Sequence, residues 1–235
     1  MTRRSDDPAG VDGIEVAGGN SVDGRRARSQ QTSSRLLAAA RELFLEQGYT
    51  LASMEAIAAR AGVSAQTVYN QFGTKGELLA AVLDRAVAGD DAPVPLIERP
   101  DFVAREGEPV AEAIARFATA GTALLARVAP LWDVMRSASA LPEVKRLLDE
   151  NRRRRRADQR HVVGAFAATG QLRPELDLGH AADVVYGLVN EDVYLLLTGD
   201  CRWSRKRFAN WLNETLLAQL VAAPSQSSTN LPSPK

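Results

Sequence analysis

The chain has 235 residues, 45% of them apolar, enough to enclose a sizeable core in one large domain or two smaller ones. Its 29 basic residues balance 29 acidic ones, so whole-chain charge gives no reason to expect a nucleic acid, a membrane surface or an acidic substrate as partner. One cysteine, Cys201, excludes an internal disulfide and a thiolate zinc cluster, and no apolar run follows Arg3 and Arg4 to form a secretory signal or a membrane span; the expected compartment is the cytoplasm.

Charge is unevenly distributed. Residues 1–24 hold two basic side chains against five acidic ones, and residues 25–85 hold eight against five. Residues 1–31 are rich in Gly, Asp, Ser and Arg and poor in large apolar side chains, so a flexible arm is expected there. Its end places Arg25, Arg26 and Arg28 either along phosphates or in a solvated polar tail. Leu36, Leu37, Ala40, Leu43 and Phe44 then recur at helical spacing, with Thr32 or Ser33 as cap and Gly48 as stop. Ser53 caps a two-turn helix with Met54, Ile57, Ala58 and Ala61 on one face, Gly62 supplies a sharp turn, and Ser64 caps a third helix. Thr74 and Glu77 have capping-box spacing and open a fourth helix through Val87. The proline-bearing text after Gly89 reads as a connection, giving an N-terminal unit over 32–89 and a larger helical unit over 90–222, followed by a Pro/Ser-rich tail over 223–235. In the larger unit helices are expected from Pro109 to an interruption at Pro130, over 130–139, from Pro142 to about 169, over 178–198 after an Asp177 cap, and over 205–221 after Ser204. With no strand pattern and no internal repeat, the fold class is all-α, a helix-turn-helix unit joined to a larger helical unit.

The third helix carries the functional signal. On a helical wheel Ala65, Val68 and Phe72 share one side, while Gln66, Thr67 and Asn70 share the other, flanked by Tyr69 and Gln71. The first set packs, and the second is suited to reading base edges in a major groove. Gln and Asn pair with adenine through two hydrogen bonds, Thr meets a thymine methyl or gives a hydrogen bond, and a flanking Tyr hydroxyl reaches phosphate. Ser53 and Thr74 begin helices whose free N–H groups attract anions, and Lys75 adjoins the second; capping alone is the other reading of the two hydroxyls, and surface solubility that of the lysine.

The segment 44–83, with F-x-x-x-G-Y, I-A-x-x-A-G-V, S-x-x-T-x-Y-x-x-F and K-x-E-L-L in order and spacing, resembles the DNA-binding domain of TetR-family (tetracycline-repressor-like) transcriptional regulators. The resemblance implies a phosphate-facing Ser53, recognition by Gln66, Thr67, Tyr69 and Asn70, and a phosphate contact from Lys75. Ala65 stands where that family often has lysine or arginine. It further implies dimerisation through the last two helices and a small-molecule pocket whose occupancy weakens DNA binding.

A homodimer is expected on physical grounds too, because one short reading helix covers only a half-site. Its candidate surface comprises Val185, Val189 and Val193 on one helix and Phe208, Trp211, Leu212, Thr215 and Leu216 on the other, the alternative being that these faces bury against their own chain. Phe117, Trp132, Met135, Phe166 and Tyr186 are candidate pocket walls, with Asn190 as a directional polar group, though each singly also fits a core. Arg155 and Asp158 interrupt the 142–169 helix and either pair near a ligand or face solvent; the arginine run 152–156 reads as a solvated face. Replacing Arg155 by alanine is expected to weaken an inducer response while sparing DNA binding. His161 and His180 stand apart from any carboxylate and cysteine set, so no catalytic residue, metal or cofactor is expected, and Cys201 beside Arg202 reads as an inert thiol. The reading is a ligand-released repressor on a pseudo-palindromic DNA operator. An architectural DNA-binding protein, or a carrier or enzyme in the C-terminal helices, is the alternative.

Overall fold

The computed structural model describes residues 19–90 and 95–222, with side chains from residue 27 onward. Of the arm expected over 1–31, residues 1–18 and the Arg25 and Arg26 side chains lie outside the described residues, as does the expected tail over 223–235, whereas residues 19–31 are helical and not a flexible arm. Helix α1 (Gly19–Leu51) starts well ahead of the expected Thr32 or Ser33 cap. Six of the seven residues from Arg25 to Gln31 (three Arg, two Gln and Ala27) are good helix formers, so extending an established helix backwards through them costs little. Gly48, at φ 77° and ψ 167°, kinks α1 as its stop signal suggested, although a further helical turn follows through Leu51.

The next three helices follow from their caps. In α2 (Met54–Ala61) the Ser53 hydroxyl accepts from the Ala56 N–H at 3.1 Å, and Gly62 adopts the left-handed φ of 69° that lets the chain turn directly into α3 (Ala65–Phe72). The Ser64 hydroxyl accepts from the Thr67 N–H to begin α3. Thr74 and Glu77 form both halves of the capping box that opens α4 (Lys75–Ala88).

Helix α5 (Val110–Ser137) passes through Pro130 without the expected break. A proline removes one backbone donor and strains one turn, but fully buried Ala129 and Leu131 on either side anchor both halves to the core. Helix α6 (Pro142–Ala167) has the expected start. The expected continuous 178–198 helix is instead α7 (Leu178–Leu188), α8 (Glu191–Leu195) and a π-helical turn, Leu196–Asp200. The break sits at Asn190, whose extended backbone and side-chain oxygen, accepting from the Asp192 N–H at 2.8 Å, make it a new N-cap. Helix α9 (Arg205–Leu220) begins at Ser204. Among the described residues the sole β feature is an isolated antiparallel bridge, Leu172 with Val221.

Two apolar cores result, and the first crosses the expected unit boundary. Leu36, Phe44, Ile57, Val68, Leu79 and Leu83 of α1–α4 pack in one cluster with Val128, Leu131 and Met135 of α5 and Val144 and Leu148 of α6. The second core joins the rest of α5 and α6 to α7, α8 and α9. In it lie Val185, Val189, Phe208, Leu212 and Leu216, the larger part of the candidate dimer surface. These side chains are turned inward because the stripe of α9 packs along α5 and α7 packs along α6, the alternative that the sequence left open. Val193, Trp211 and Thr215 remain half-buried and Leu196 is exposed.

Candidate nucleic-acid interface and the cavity behind it

Helix α3 is held by a narrow apolar footing. Val68 is fully buried, Ala65 and Phe72 are half-buried against the same core, and Gln66, Asn70 and Gln71 are exposed with Tyr69. The exposed amides are pre-arranged: Gln66 Nε2 donates to Asn70 Oδ1 at 2.6 Å across one turn, so one amide orients the other. The hydroxyls of Ser64 and Thr67 lie 2.8 Å apart at the start of the helix. Tyr69 reaches back across the turn, its hydroxyl donating to Glu55 Oε1 at 3.2 Å. That carboxyl is held below its usual range by its own backbone N–H and then by Tyr69, and the tyrosine hydroxyl is pushed up by the same hydrogen bond. Glu55 escaped the sequence reading, although its place in the first turn of α2 brings it beside α3. Arg60, at the far end of α2, donates to Glu46 at 2.7 Å.

Ser53, Ser64 and Thr74 each cap a helix, and all three starts lie beside α3 or at its own end. Lys75 departs from expectation. Its ammonium donates to the carbonyls of Tyr49 at 2.9 Å, Thr50 at 3.2 Å and Ala52 at 3.2 Å, and lies 4.6 Å from the centre of the Tyr49 ring. All three donors are therefore spent on the carbonyls at the end of α1, where the helix dipole also favours a cation. Lys75 ties α4 to α1 and offers no free donor to a phosphate.

The contacts continue from there to α5 and α6. The Tyr49 hydroxyl donates to Glu143 Oε1 at 3.4 Å, and burial first, then the Glu143 charge, pushes its pKa to about 12, so it remains a donor. Beside it a side chain at Gly76 would come within 3.3 Å of Glu143, so glycine admits the close approach of α6. Arg154 of α6 pairs with Asp84 of α4 at 3.0 Å, and Arg127 of α5 donates to the Ala86 and Val87 carbonyls at the end of α4. The arginine run thus divides its roles: Arg156 pairs with Asp183 and Arg152 lies over Trp132, while Arg155 is mostly buried.

Between α4, α5, α6 and α8 lies a cavity of about 50 Å³. Leu125, Val128 and Val189 form its buried apolar wall, Asn151, Arg155, Gln159 and Glu191 its buried polar wall, and Val87, Leu96, Leu124 and Asp158 its less buried margin. Arg155 does line it but does not pair with Asp158; its guanidinium bonds Glu191 and stacks 4.6 Å from the Tyr186 ring centre. Burial pushes the Glu191 and Asp158 carboxyls up, Arg155 opposing this at Glu191 and Arg154 at Asp158. The remaining candidate walls lie elsewhere. Phe117, Phe166, Trp132 and Met135 are core side chains, Tyr186 supports Arg155 from outside, and Asn190 is occupied as a cap. Aromatic size pointed to the core, whereas the cavity is marked by polar residues interrupting an apolar stripe, of which Arg155 and Asp158 were visible in the sequence. Among the described residues no three His, Cys, Asp or Glu side chains are grouped to hold a metal, and no helix is long and apolar enough to cross a membrane.

A short amide-faced helix set by a glycine turn against a second short helix, and carried on a larger helical body, defines a helix-turn-helix protein. Residues 36–82, which span the helix-turn-helix, match the model for bacterial regulatory proteins of the tetR family. The chain is similar to the HTH-type transcriptional activator FasR of Mycolicibacterium smegmatis, with 46% identity over 71 residues, 30% of this chain and 32% of FasR. With the uncharacterized HTH-type transcriptional regulator YdeS of Bacillus subtilis it shares 29% identity over 181 residues, 74% of this chain and 83% of YdeS. The match thus spans about a third of FasR but most of YdeS. The fold is also that of the transcriptional regulator FadR from Bacillus subtilis in complex with stearoyl-CoA, at a TM-score of 0.63 and 21% identity, covering 79% of this chain and 98% of that one.

Proposed function

We propose that the chain is a cytoplasmic, homodimeric transcriptional repressor that reads a pseudo-palindromic DNA operator through α3 and is released from it by a small molecule. The observation that carries this reading is the division of α3 into a buried Val68 and an exposed row of Gln66, Asn70 and Gln71. A lysine-rich face would bind any duplex through phosphates, whereas amides distinguish bases. Ser53, Ser64, Thr67, Tyr69 and Thr74 frame the row, with helix N-termini available to phosphates on either side. In this reading Lys75 acts as a positioning residue.

Ligand response is supported by the location of the cavity. One of its walls, α6, also bears Glu143 and Arg154, which contact Tyr49 and Asp84 of the unit that carries α3. A ligand that shifts α6 would therefore alter the seating of α1 and α4. FadR is named as a complex with stearoyl-CoA, which accords with a ligand among such helices. Release of DNA by that shift relieves repression, although FasR is named an activator. The partner surface is assigned to what α8 and α9 leave accessible, Val193, Trp211 and Thr215, with the exposed Leu196 adjoining. The relatives named as regulators support a non-enzymatic role.

The test is binding to an array of random duplexes by the parent and by Gln66→Ala. A ranked preference in the parent that is weaker in the variant is expected. Equal affinity of the parent for every duplex would favour the architectural reading.

A further inference from the structure

Two residues that line the cavity beside α4 each carry a buried polar atom that the protein itself leaves unserved. Arg155 spends Nη1 on Glu191 and Nη2 on the Tyr186 carbonyl at 3.4 Å, while its Nε is buried without a partner. Gln159 Oε1 is likewise buried without a partner, on a side chain only 7% exposed. Four residues apart on α6, the two side chains share one helix face, and both line the cavity. A donor and an acceptor thus stand one turn apart at the same space.

The surrounding charges restrict what can meet them. Arg155 is matched by Glu191 and Arg154 by Asp84, leaving the half-buried Asp158 as the remaining carboxylate on the wall. A ligand carboxylate would satisfy Nε but face Glu191 and Asp158. An ammonium would satisfy Gln159 and be attracted by Asp158, but it would have no acceptor to offer Arg155 Nε, and a buried donor left unpaired is costly. A purely apolar ligand would strand both atoms. One hydroxyl accepts from Nε and donates to Oε1, and a carboxamide does the same with its carbonyl and N–H. About 50 Å³ accommodates such a head group, and an apolar body can continue past Leu124 and Leu96 at the less buried margin.

We infer that the cavity binds an uncharged amphiphile whose hydroxyl or carboxamide head bridges Arg155 Nε and Gln159 Oε1. This deepens, and rests on, the reading of the chain as a ligand-responsive regulator.

Calorimetric titration of the full chain, without DNA, with hexanol, hexanamide, hexanoate and hexylammonium tests the inference, since all four carry the same tail. Hexanol or hexanamide is expected to bind most tightly, and Gln159→Met, which keeps the side-chain length but removes the acceptor, to weaken that binding about tenfold. Tighter binding of either ion, binding of none of the four, or identical affinities in the variant would overturn the inference. Should the variant lose its helical circular dichroism, the ranking of the four probes on the unaltered chain decides. Operator release is measured separately: a neutral probe that binds as expected but leaves the DNA complex intact upholds the ligand class and contradicts the ligand-response reading.

Discussion

The Lys75 ammonium lies 2.9 Å from the Tyr49 carbonyl and 4.6 Å from the centre of that residue's ring. With the carbonyls of Thr50 and Ala52 it closes the end of α1 from the first turn of α4. Lys75→Ala should therefore destabilise the free protein, by about 1–3 kcal/mol for charge-assisted bonds of this kind. Urea unfolding in the absence of DNA measures it. An unchanged midpoint, with loss only of DNA affinity, would return Lys75 to a phosphate-contacting role.

Glu55 holds the Tyr69 hydroxyl and places a negative charge next to the reading face. Glu55→Gln should raise affinity for duplexes of arbitrary sequence without flattening its dependence on salt, unlike the loss of a phosphate contact. Fluorescence anisotropy at two ionic strengths tests this, and weaker binding to arbitrary duplexes would refute it.

Arg155 and Glu191 form a mostly buried ion pair on the cavity wall. Removing one partner leaves the other charge buried, so Arg155→Ala should cost about 3–5 kcal/mol, whereas Arg155→Met with Glu191→Leu should cost much less. Thermal unfolding of the single and double variants is the measurement. The selective loss of inducer response expected from sequence for Arg155→Ala thus becomes a loss of stability as well.

Asp158 has its carboxyl pushed up by burial, partly offset by Arg154 and His161. A carboxyl raised in the folded state holds its proton there longer than in the unfolded chain. Its contribution is therefore most favourable at low pH and is lost as pH rises from about 4, the ordinary range, to the raised value. Asp158→Asn should gain relative stability across that window and show no gain below it. A parent and variant with parallel stability-versus-pH curves would contradict this.

Local rules carried the sequence reading furthest where the structure is local. Ser53, Gly62, Ser64 and the Thr74–Glu77 box fix their helix ends through bonds within three or four residues, and the outward amides of α3 follow from its periodicity. Long-range packing was less legible. Pro130 continues a helix because distant side chains clamp its neighbours, and Asn190 breaks one with a bond that its neighbouring apolar text concealed. Lys75 looked like a surface cation because its three carbonyl partners lie more than twenty residues away in the chain. The cavity was sought among aromatics, whereas Gln159 and Glu191 became recognisable as its wall only once α6 and α8 were adjacent.

Selection from a random pool of duplexes tests most directly the claim that α3 reads bases. The parent should enrich two inverted half-sites whose centres lie about 34–36 Å apart, or a multiple of that, and Gln66→Ala with Asn70→Ala should lose the enriched bases, each good contact being worth about 1–3 kcal/mol. A parent that enriches no sequence, or a double variant that enriches the same one, would contradict the account.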